Sequence, residues 1–418
     1  MYKKSILVVM IQFGGVLLGI VSLYLVVGDM APEVYSLMGV LAIISGIILT
    51  FSDLGIETTM MREALYWIQN GEEEKVKEHT TQALMSRALG FILLIPPLIV
   101  YSLYLCYAKY EGMYFPILLS FIIGSVVSAF NDSMSLVVRA QGGYVFSQAA
   151  KVANTYFSKI GGVALYFAFG ATPYLLFNAF VSVPLMIIFI VKVRKSLNFR
   201  YFIIKDMLKK IWKAKFLWLK TDLDYFKNNA DSVLVSILFT SAILGAYTIF
   251  KTLENISKTF IEGFFDVLSQ ESVRNKGNKE VLIKLRNKFR KVAFLLCFLI
   301  FWMLLVFSIK PEFFVEILHL SKYEGMIPIV YCVGIISIIH LVSKYEINMV
   351  SFFASSKTFF FVGLANFVGA IVSFAVVAFF PSIVSMLSQR IVVYLIAGLI
   401  SVIVYQKNKE KMFSKIME

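Results

Sequence analysis

The feature that most constrains this sequence is a series of long apolar runs separated by short polar segments. A transmembrane helix needs about 20 predominantly apolar residues, and ten runs of this kind are visible from hydropathy. They cover residues 5–27, 35–53, 87–108, 113–136, 151–170, 173–191, 292–309, 326–347, 359–380 and 383–405. The chain is therefore predicted to be an all-α protein that crosses a membrane many times.

The composition of the whole chain agrees with this prediction. Of its 418 residues, 59% are hydrophobic and 16% are charged, whereas a soluble domain is about 45–50% apolar and about 25% charged. Such a composition excludes a disordered chain and a disulfide scaffold. The first run is longer than the apolar core of a signal peptide, which has about 7–15 residues, so we interpret it as the first span.

Charge bias resolves the middle of the chain, where hydropathy alone is ambiguous. Lys and Arg accumulate on cytoplasmic loops, and two basic segments flank this region: 192–215 holds nine such residues and 274–291 holds eight. Because both segments belong on the same side, an even number of spans must connect them, and the apolar stretch between them argues against none. We predict two spans, 216–239 and 242–268, with a turn at 240–245.

The resulting topology has twelve spans with both chain ends in the cytoplasm. Most of the 40 Lys and Arg residues then lie in cytoplasmic loops and tails, whereas the outer loops contain Lys109, Lys310 and Lys322. The net charge of +14 is thus mainly an orientation signal. The basic loop after the sixth span divides the chain into an N-terminal lobe, 1–205, and a C-terminal lobe, 206–418.

Sequence signals of an enzyme are missing. There is no phosphate-binding loop, the three histidines do not have metal-ligand spacing, and the three cysteines lie far apart inside apolar runs. The predicted outer loops are only a few residues long, except for 310–325. We therefore expect no catalytic residue, no metal and no cofactor.

Charged residues inside the seventh and eighth predicted spans are the most informative feature for function. They recur at steps of three and four, which places each set on one face of a helix. The two sets are Lys220, Asp224, Lys227 and Asp231, and then Lys251, Glu254, Lys258, Glu262 and Asp266. A charge inside a bilayer costs at least about 2.5–3.5 kcal/mol, so these residues should face one another or a water-filled cavity.

Two interpretations of these charges stay open. They can pair with one another and fix the helix interface, or some of the cations can stand in a central cavity; Lys159 and Arg390, which lie in other spans, favour the second. A cationic cavity suits an anionic substrate such as a phosphate, and a nearby carboxylate can couple transport to an ion gradient. The substrate-binding candidates are Lys159, Lys227, Lys251, Lys258 and Arg390. The ion-coupling candidates are Asp224, Asp231, Glu254 and Glu262.

Local segments in a fixed order point to a known family. The second span ends with Phe51-Ser-Asp-Leu-Gly-Ile-Glu57, continued by Met61-Arg62-Glu63, and the fifth span follows Arg139-Ala-Gln-Gly-Gly-Tyr144. The first two spans of the second lobe contain Asp231-Ser-Val-Leu-Val235 and Gly245-Ala-Tyr247. Together with the length, the number of spans and the short outer loops, these segments resemble the Wzx-type polysaccharide flippases of the MOP exporter superfamily.

The resemblance implies a MATE-like fold, with twelve helices in two six-helix lobes around a central cavity. It implies translocation of an undecaprenyl-diphosphate-linked oligosaccharide, such as an O-antigen unit, across the inner membrane of a bacterium by alternating access. The implied partners are that glycan, membrane lipids, a polysaccharide polymerase and a chain-length regulator, with no nucleic acid.

Two other functions stay open at this point. A MATE-type multidrug or cation antiporter would share the twelve-span plan but would need an acidic pocket for its substrates. A membrane polysaccharide polymerase or glycosyltransferase would usually need a sizeable outer loop.

Overall fold

The computed structural model describes residues 14–15, 17–57, 67, 71–110, 114–140, 143–274 and 278–413. Within this part of the chain the regular structure is helical and contains no strand. In chain order the helices are α1 Leu17–Val27, α2 Pro32–Phe51, α3 Glu73–Ala108, α4 Phe115–Ala140, α5 Tyr144–Phe169, α6 Ala171–Phe180, α7 Val183–Val193, α8 Ile204–Lys213, α9 Lys215–Leu238, α10 Ser241–Arg274, α11 Lys279–Ile309, α12 Pro311–Ile317, α13 Met326–Phe353, α14 Ser356–Phe379 and α15 Ile383–Phe413.

Each predicted span overlaps one or two of these helices, and residues 5–13 of the first predicted span lie outside the described residues. Among the described residues, eight helical segments are long and apolar enough to cross a membrane, and the chain is a multi-pass membrane protein. The sixth span is made of α6 and α7 in succession, and the described part of the first span is α1. The helix of the third span is longer than predicted, because a polar N-terminal extension from Glu73 continues it.

The two spans that were predicted from charge bias overlap the helices α9 and α10, which are not among the eight segments that are apolar enough to cross a membrane by hydropathy. The turn between them was predicted at 240–245 but lies at Phe239 and Thr240. The reason is a helix cap: the carbonyl of Thr240 accepts the N–H of Leu244, and its side-chain oxygen lies 3.4 Å from the N–H of Ile243. Residues 241–245 therefore form the first turn of α10.

One compact unit comprises residues 33–225. In it α4 packs against α3, α6 and α7, around a core that includes Val137 and Phe189. Gly124 permits the close approach of α4 to α6, because a Cβ atom at this position would lie 2.1 Å from the carbonyl oxygen of Ala179.

A short amphipathic helix, α8, also belongs to this unit. Its inner face places Met207 and Ile211 against Ile56 and Ala83, and Lys210 pairs with Glu78 of α3 at 2.6 Å. The loop that joins the sixth and seventh predicted spans is thus partly helical and anchored to the N-terminal part of α3.

The other compact unit comprises residues 1–32 and 226–418. In this unit α13 packs against α10, α11 and α15. Helix α14 packs against α15, and α10 also packs against α11. In its core the rings of Phe265 and Phe289 stack at 4.9 Å, and Tyr345 meets Phe289 edge-on at 5.1 Å. The boundary between these packing units lies inside α9, so the expected lobes 1–205 and 206–418 stay a prediction.

Candidate functional site

A cluster of buried charges lies in the unit formed mainly by residues 226–418. Helix α9 contributes Asp231, α10 contributes Lys251, Glu254 and Lys258, and α15 contributes Arg390. The spacing along α10 places its three charged residues on one face, and that face is turned toward Asp231 and Arg390. Asp231, Glu254 and Arg390 are almost completely inaccessible to solvent. We call these five residues the charge cluster.

Arg390 is the central cation of the charge cluster. Its Nη2 and Nε atoms lie 2.8 and 3.2 Å from Oε1 of Glu254, and its Nε atom lies 3.5 Å from Oδ2 of Asp231. Its Nη1 atom donates a hydrogen bond of 2.9 Å to the main-chain carbonyl of Lys227. Every nitrogen of this guanidinium therefore has an acceptor or a carboxylate partner, as a buried charge requires.

In addition to Arg390, donors from α9 and α10 contact Asp231. The hydroxyl of Tyr247 donates to its Oδ2 atom at 2.7 Å, and Lys251 Nζ lies 3.3 Å from the same atom. The main-chain N–H of Ser232 donates to Oδ1 at 2.8 Å. Lys251 also donates to the main-chain carbonyl of Asn228 at 2.7 Å, so its ammonium is fixed against α9.

Glu254 is the most heavily contacted carboxylate. In addition to Arg390, its Oε1 atom is contacted by Lys258 Nζ at 3.0 Å and by the hydroxyl of Tyr394 at 2.5 Å. Its Oε2 atom accepts no hydrogen bond of good geometry, but it lies 3.3 Å from Lys251 Nζ. The ring of Tyr394 also lies beneath two cations, with the Lys258 ammonium 5.3 Å and the Arg390 guanidinium 5.0 Å from its centroid.

The charge cluster contains more positive than negative charge. Arg390, Lys251 and Lys258 carry three positive charges, whereas Asp231 and Glu254 carry two negative charges, so one positive charge is in excess. The accessible part is also cationic, because the side chains of Lys251 and Lys258 are 14% and 24% exposed while both carboxylates are at 0%. A site with this arrangement attracts an anion to its edge and repels a cation.

The structure thus brings together five of the nine predicted site residues. Lys227 contributes its carbonyl group to Arg390. Asp224 pairs with Lys220 on its own helix and belongs to the other compact unit. Lys159 also belongs to that unit and makes no ion pair or hydrogen bond with the described residues, and the side chain of Glu262 lies outside the described residues. The charged side chains of the cluster therefore pair with one another, and Lys251 and Lys258 also form an exposed cationic edge.

Sequence reasoning did not identify Tyr247 and Tyr394, which contact the charge cluster, or a second buried ion pair. In the unit 33–225, Arg87 contacts Glu57 with two nitrogens, at 2.9 and 2.5 Å, and both side chains are buried. The same guanidinium donates to the hydroxyls of Ser52 and Ser133 and to the carbonyl of Leu49. All hydrogen-bonding groups of this pair have partners in the protein. We therefore interpret it as a structural clamp, that is, an ion pair that holds Glu57 against α3.

Side chains that can ligate a metal are scattered in the described part of the chain. No group of three His, Cys, Asp or Glu side chains in it could hold a metal ion. Cys106, Cys297 and Cys332 are free thiols on different helices.

Comparison with solved structures identifies the fold of this chain, whereas comparison of its sequence finds no match. No protein-family model matches the sequence, and no curated protein matches it. Among solved structures, the chain is similar to a multidrug resistance MATE family transporter of the MOP superfamily in an outward-facing conformation, with a TM-score of 0.68, 11% identity and coverage of 98% of this chain and 95% of that chain.

Two further solved structures are also similar to this chain over nearly its whole length. For an inward-facing conformation of a multidrug resistance MATE family transporter, the TM-score is 0.66 at 11% identity, with 97% of this chain and 98% of that chain covered. For a MOP superfamily transporter from Pyrococcus furiosus, it is 0.62 at 12% identity, with 98% and 94% covered. The chain therefore has a MATE-like polytopic membrane fold.

Proposed function

We propose that this protein is a membrane transporter for an anionic, lipid-linked oligosaccharide. The observation that carries the proposal is the charge cluster, in which three cations surround two carboxylates and the exposed edge consists of Lys251 and Lys258. A MATE-like fold without recognisable catalytic or nucleotide-binding motifs favours transport over chemistry. Clusters of basic side chains are well suited to phosphate oxygens.

The substrate class follows from the resemblance of the local segments to Wzx-type flippases. We propose an undecaprenyl-diphosphate-linked glycan, such as an O-antigen unit, that is moved from the cytoplasmic to the outer leaflet of a bacterial inner membrane with both chain ends in the cytoplasm. Its diphosphate would approach the cationic edge of the charge cluster. A polymerase and a chain-length regulator are proposed as downstream partners.

We propose that Asp231 and Glu254 couple transport to an ion gradient. Each carboxylate contacts at least two cations, so adding a proton to either one would raise the positive charge of the cluster. Such a change would strengthen the attraction for a diphosphate, and loss of the proton would weaken it.

Deletion of the gene followed by complementation tests this proposal. We expect the deletion to abolish long surface polysaccharide, seen by gel electrophoresis, and the wild-type copy to restore it. Lys258→Ala should fail to restore it at a normal protein level, whereas Lys258→Arg should restore it in part. Lys357→Ala, which removes an exposed lysine of α14, is the matched control and should complement fully. An unchanged polysaccharide profile in the deletion strain would overturn the proposal.

A MATE-type multidrug antiporter is the second candidate, and the similarity to multidrug resistance transporters favours it. The charge balance of the cluster disfavours a cationic drug. It is relevant that the similar Pyrococcus furiosus transporter is described as having a binding pocket of reverse polarity, which suggests a different function for that protein. Increased sensitivity of the deletion strain to cationic drugs, with normal polysaccharide, would favour this second function.

A further inference from the structure

An apolar groove lies between α11 and α13, outside the charge cluster. Its volume is about 340 Å³, and its lining includes Phe289, Ala293, Cys297, Leu341 and Tyr345. This volume is at the lower end of the range of about 300–1,000 Å³ that is typical of ligand pockets. The groove has room for a segment of one hydrocarbon chain.

The groove opens toward the surface that α11 presents to lipid. Phe294 and Val342 form its outer edge and are both strongly exposed. Only 11% of the most apolar stretch of α11 is buried inside the protein. In a membrane, such a surface is covered by hydrocarbon chains, and the groove is continuous with it.

A cationic end distinguishes this groove from an ordinary crevice. Arg286, Arg290, Ala293 and Cys297 follow one another at steps of four, three and four along α11, which places them on one face. The side chain of Arg290 is 60% exposed, and its Nη2 atom lies 3.9 Å from Oε1 of Glu346, which is a long ion pair. The basic segment 274–291 is the one that was predicted to lie at the cytoplasmic surface.

Arg286 has hydrogen-bonding capacity that the described residues do not use. Its guanidinium lies 5.6 Å from the ring centroid of Tyr405, and its buried Nε atom has no hydrogen-bond acceptor among them. Arg286 stands one helical turn before Arg290 on α11, whereas Glu346 is the one described carboxylate that lines the groove. The long ion pair of Arg290 and the unused N–H donor of Arg286 leave both arginines able to bind an anion with oxygen acceptors.

We infer that this groove binds an anionic phospholipid of the cytoplasmic leaflet. The phosphate group lies against Arg286 and Arg290, and one acyl chain fills the groove beside Ala293. Basic pockets between transmembrane helices at the cytoplasmic side recognise anionic headgroups in this way. Because an acyl chain gains little by leaving other acyl chains, selectivity comes from the headgroup and the groove sets its position.

Native mass spectrometry of the purified full-length protein, with dioleoyl phosphatidylglycerol and dioleoyl phosphatidylcholine as probes, tests this inference. We expect preferential retention of phosphatidylglycerol. The double variant Arg286→Gln/Arg290→Gln should weaken its binding roughly 30-fold, since each of two basic residues contributes to holding an anionic headgroup. Ala293→Phe should weaken it by filling the groove.

The matched control is Lys284→Gln/Lys288→Gln. These exposed lysines have the same spacing on α11, but they lie two residues from Arg286, which corresponds to about 200° around the helix. Their loss should leave lipid binding unchanged. Equal losses in the lysine and arginine variants, or equal retention of phosphatidylcholine, would overturn the inference.

Two further results would also refute the assignment. If the arginine variant elutes as an aggregate in size-exclusion chromatography, Ala293→Phe decides the question, and unchanged phosphatidylglycerol binding in that variant refutes a chain in the groove. Displacement of phosphatidylglycerol by an equal concentration of undecaprenyl phosphate would show that a polyprenyl lipid is the preferred occupant, and the phospholipid assignment would be wrong.

Discussion

Replacement of Glu254 by glutamine is the most informative perturbation of the charge cluster. The substitution keeps the shape of the side chain but removes the carboxylate that Arg390, Lys258 and Lys251 contact at 2.8, 3.0 and 3.3 Å. The excess charge of the cluster then rises from one to two. Removing one partner of a buried ion pair costs about 3–5 kcal/mol, because the other charge is left uncompensated. At about 1.4 kcal/mol per factor of ten, the folding equilibrium constant falls by roughly two to three and a half orders of magnitude.

Asp224→Asn is the matched control for this substitution. It also changes a carboxylate into an amide, and Asp224 also pairs with a lysine, but the side chains of Asp224 and Lys220 are 26% and 15% exposed. We expect a cost of about 1 kcal/mol or less, as for pairs in contact with solvent. Unfolding in mixed micelles with a rising fraction of dodecyl sulfate, followed by circular dichroism, compares the two variants.

A double-mutant cycle with Arg390→Met gives the decisive measurement. The variant that combines Glu254→Gln with Arg390→Met returns the excess charge to one, so its cost should be smaller than the sum of the single costs by at least about 1 kcal/mol. Additive costs, or a Glu254→Gln variant as stable as Asp224→Asn, would refute the description of this cluster as a coupled, desolvated network.

Two further predictions concern the unit 33–225. Glu57→Gln should destabilise the protein by about 3–5 kcal/mol in the same unfolding assay, since Arg87 loses a two-point ion pair in a buried site; a variant as stable as the wild type would show that the pair is not a structural clamp. Gly124→Val should cost about 1–3 kcal/mol by separating α4 from α6 at the carbonyl of Ala179, measured as a lower melting temperature in detergent, and an unchanged melting temperature would contradict the close packing.

The helices of this protein could largely be predicted from the sequence because their signals are local. Apolar length and charge bias were enough to predict α9 and α10 in a region where hydropathy alone was ambiguous. The turn between them was misplaced because the cap at Thr240 depends on hydrogen bonds that hydropathy does not detect. The extension of α3 was missed for a similar reason, since a polar helix outside the bilayer has no apolar run.

The partners within the charge cluster could be predicted only in part. The spacing of Lys251, Glu254 and Lys258 predicts a common face of α10, but it does not say which helix packs against that face. Arg390 follows Glu254 by 136 residues along the chain, and a single sequence carries no signal for contacts over such a separation. Tyr394 was overlooked because a tyrosine in a membrane helix is usually assigned to the interface.

The predicted binding residues now separate into two kinds. All nitrogens of Arg390 are engaged with protein groups, so we expect its substitution to affect stability first. Lys258 has the most exposed side chain of the charge cluster, so we expect its substitution to affect substrate handling first. Comparing protein level with polysaccharide export for Arg390→Met and Lys258→Ala would show whether this distinction holds.

The bond from Arg390 to the carbonyl of Lys227 has a mechanical consequence. The same guanidinium also donates to Glu254. Arg390 of α15 is therefore bonded to the main chain of α9 and to a side chain of α10. The part of α9 from residue 226 onward is expected to move with α10 and α15 as one rigid body in any conformational cycle, because separating them would expose the buried charges of Asp231, Glu254 and Arg390. The hinges that permit such a cycle must therefore lie outside the segments that Arg390 joins.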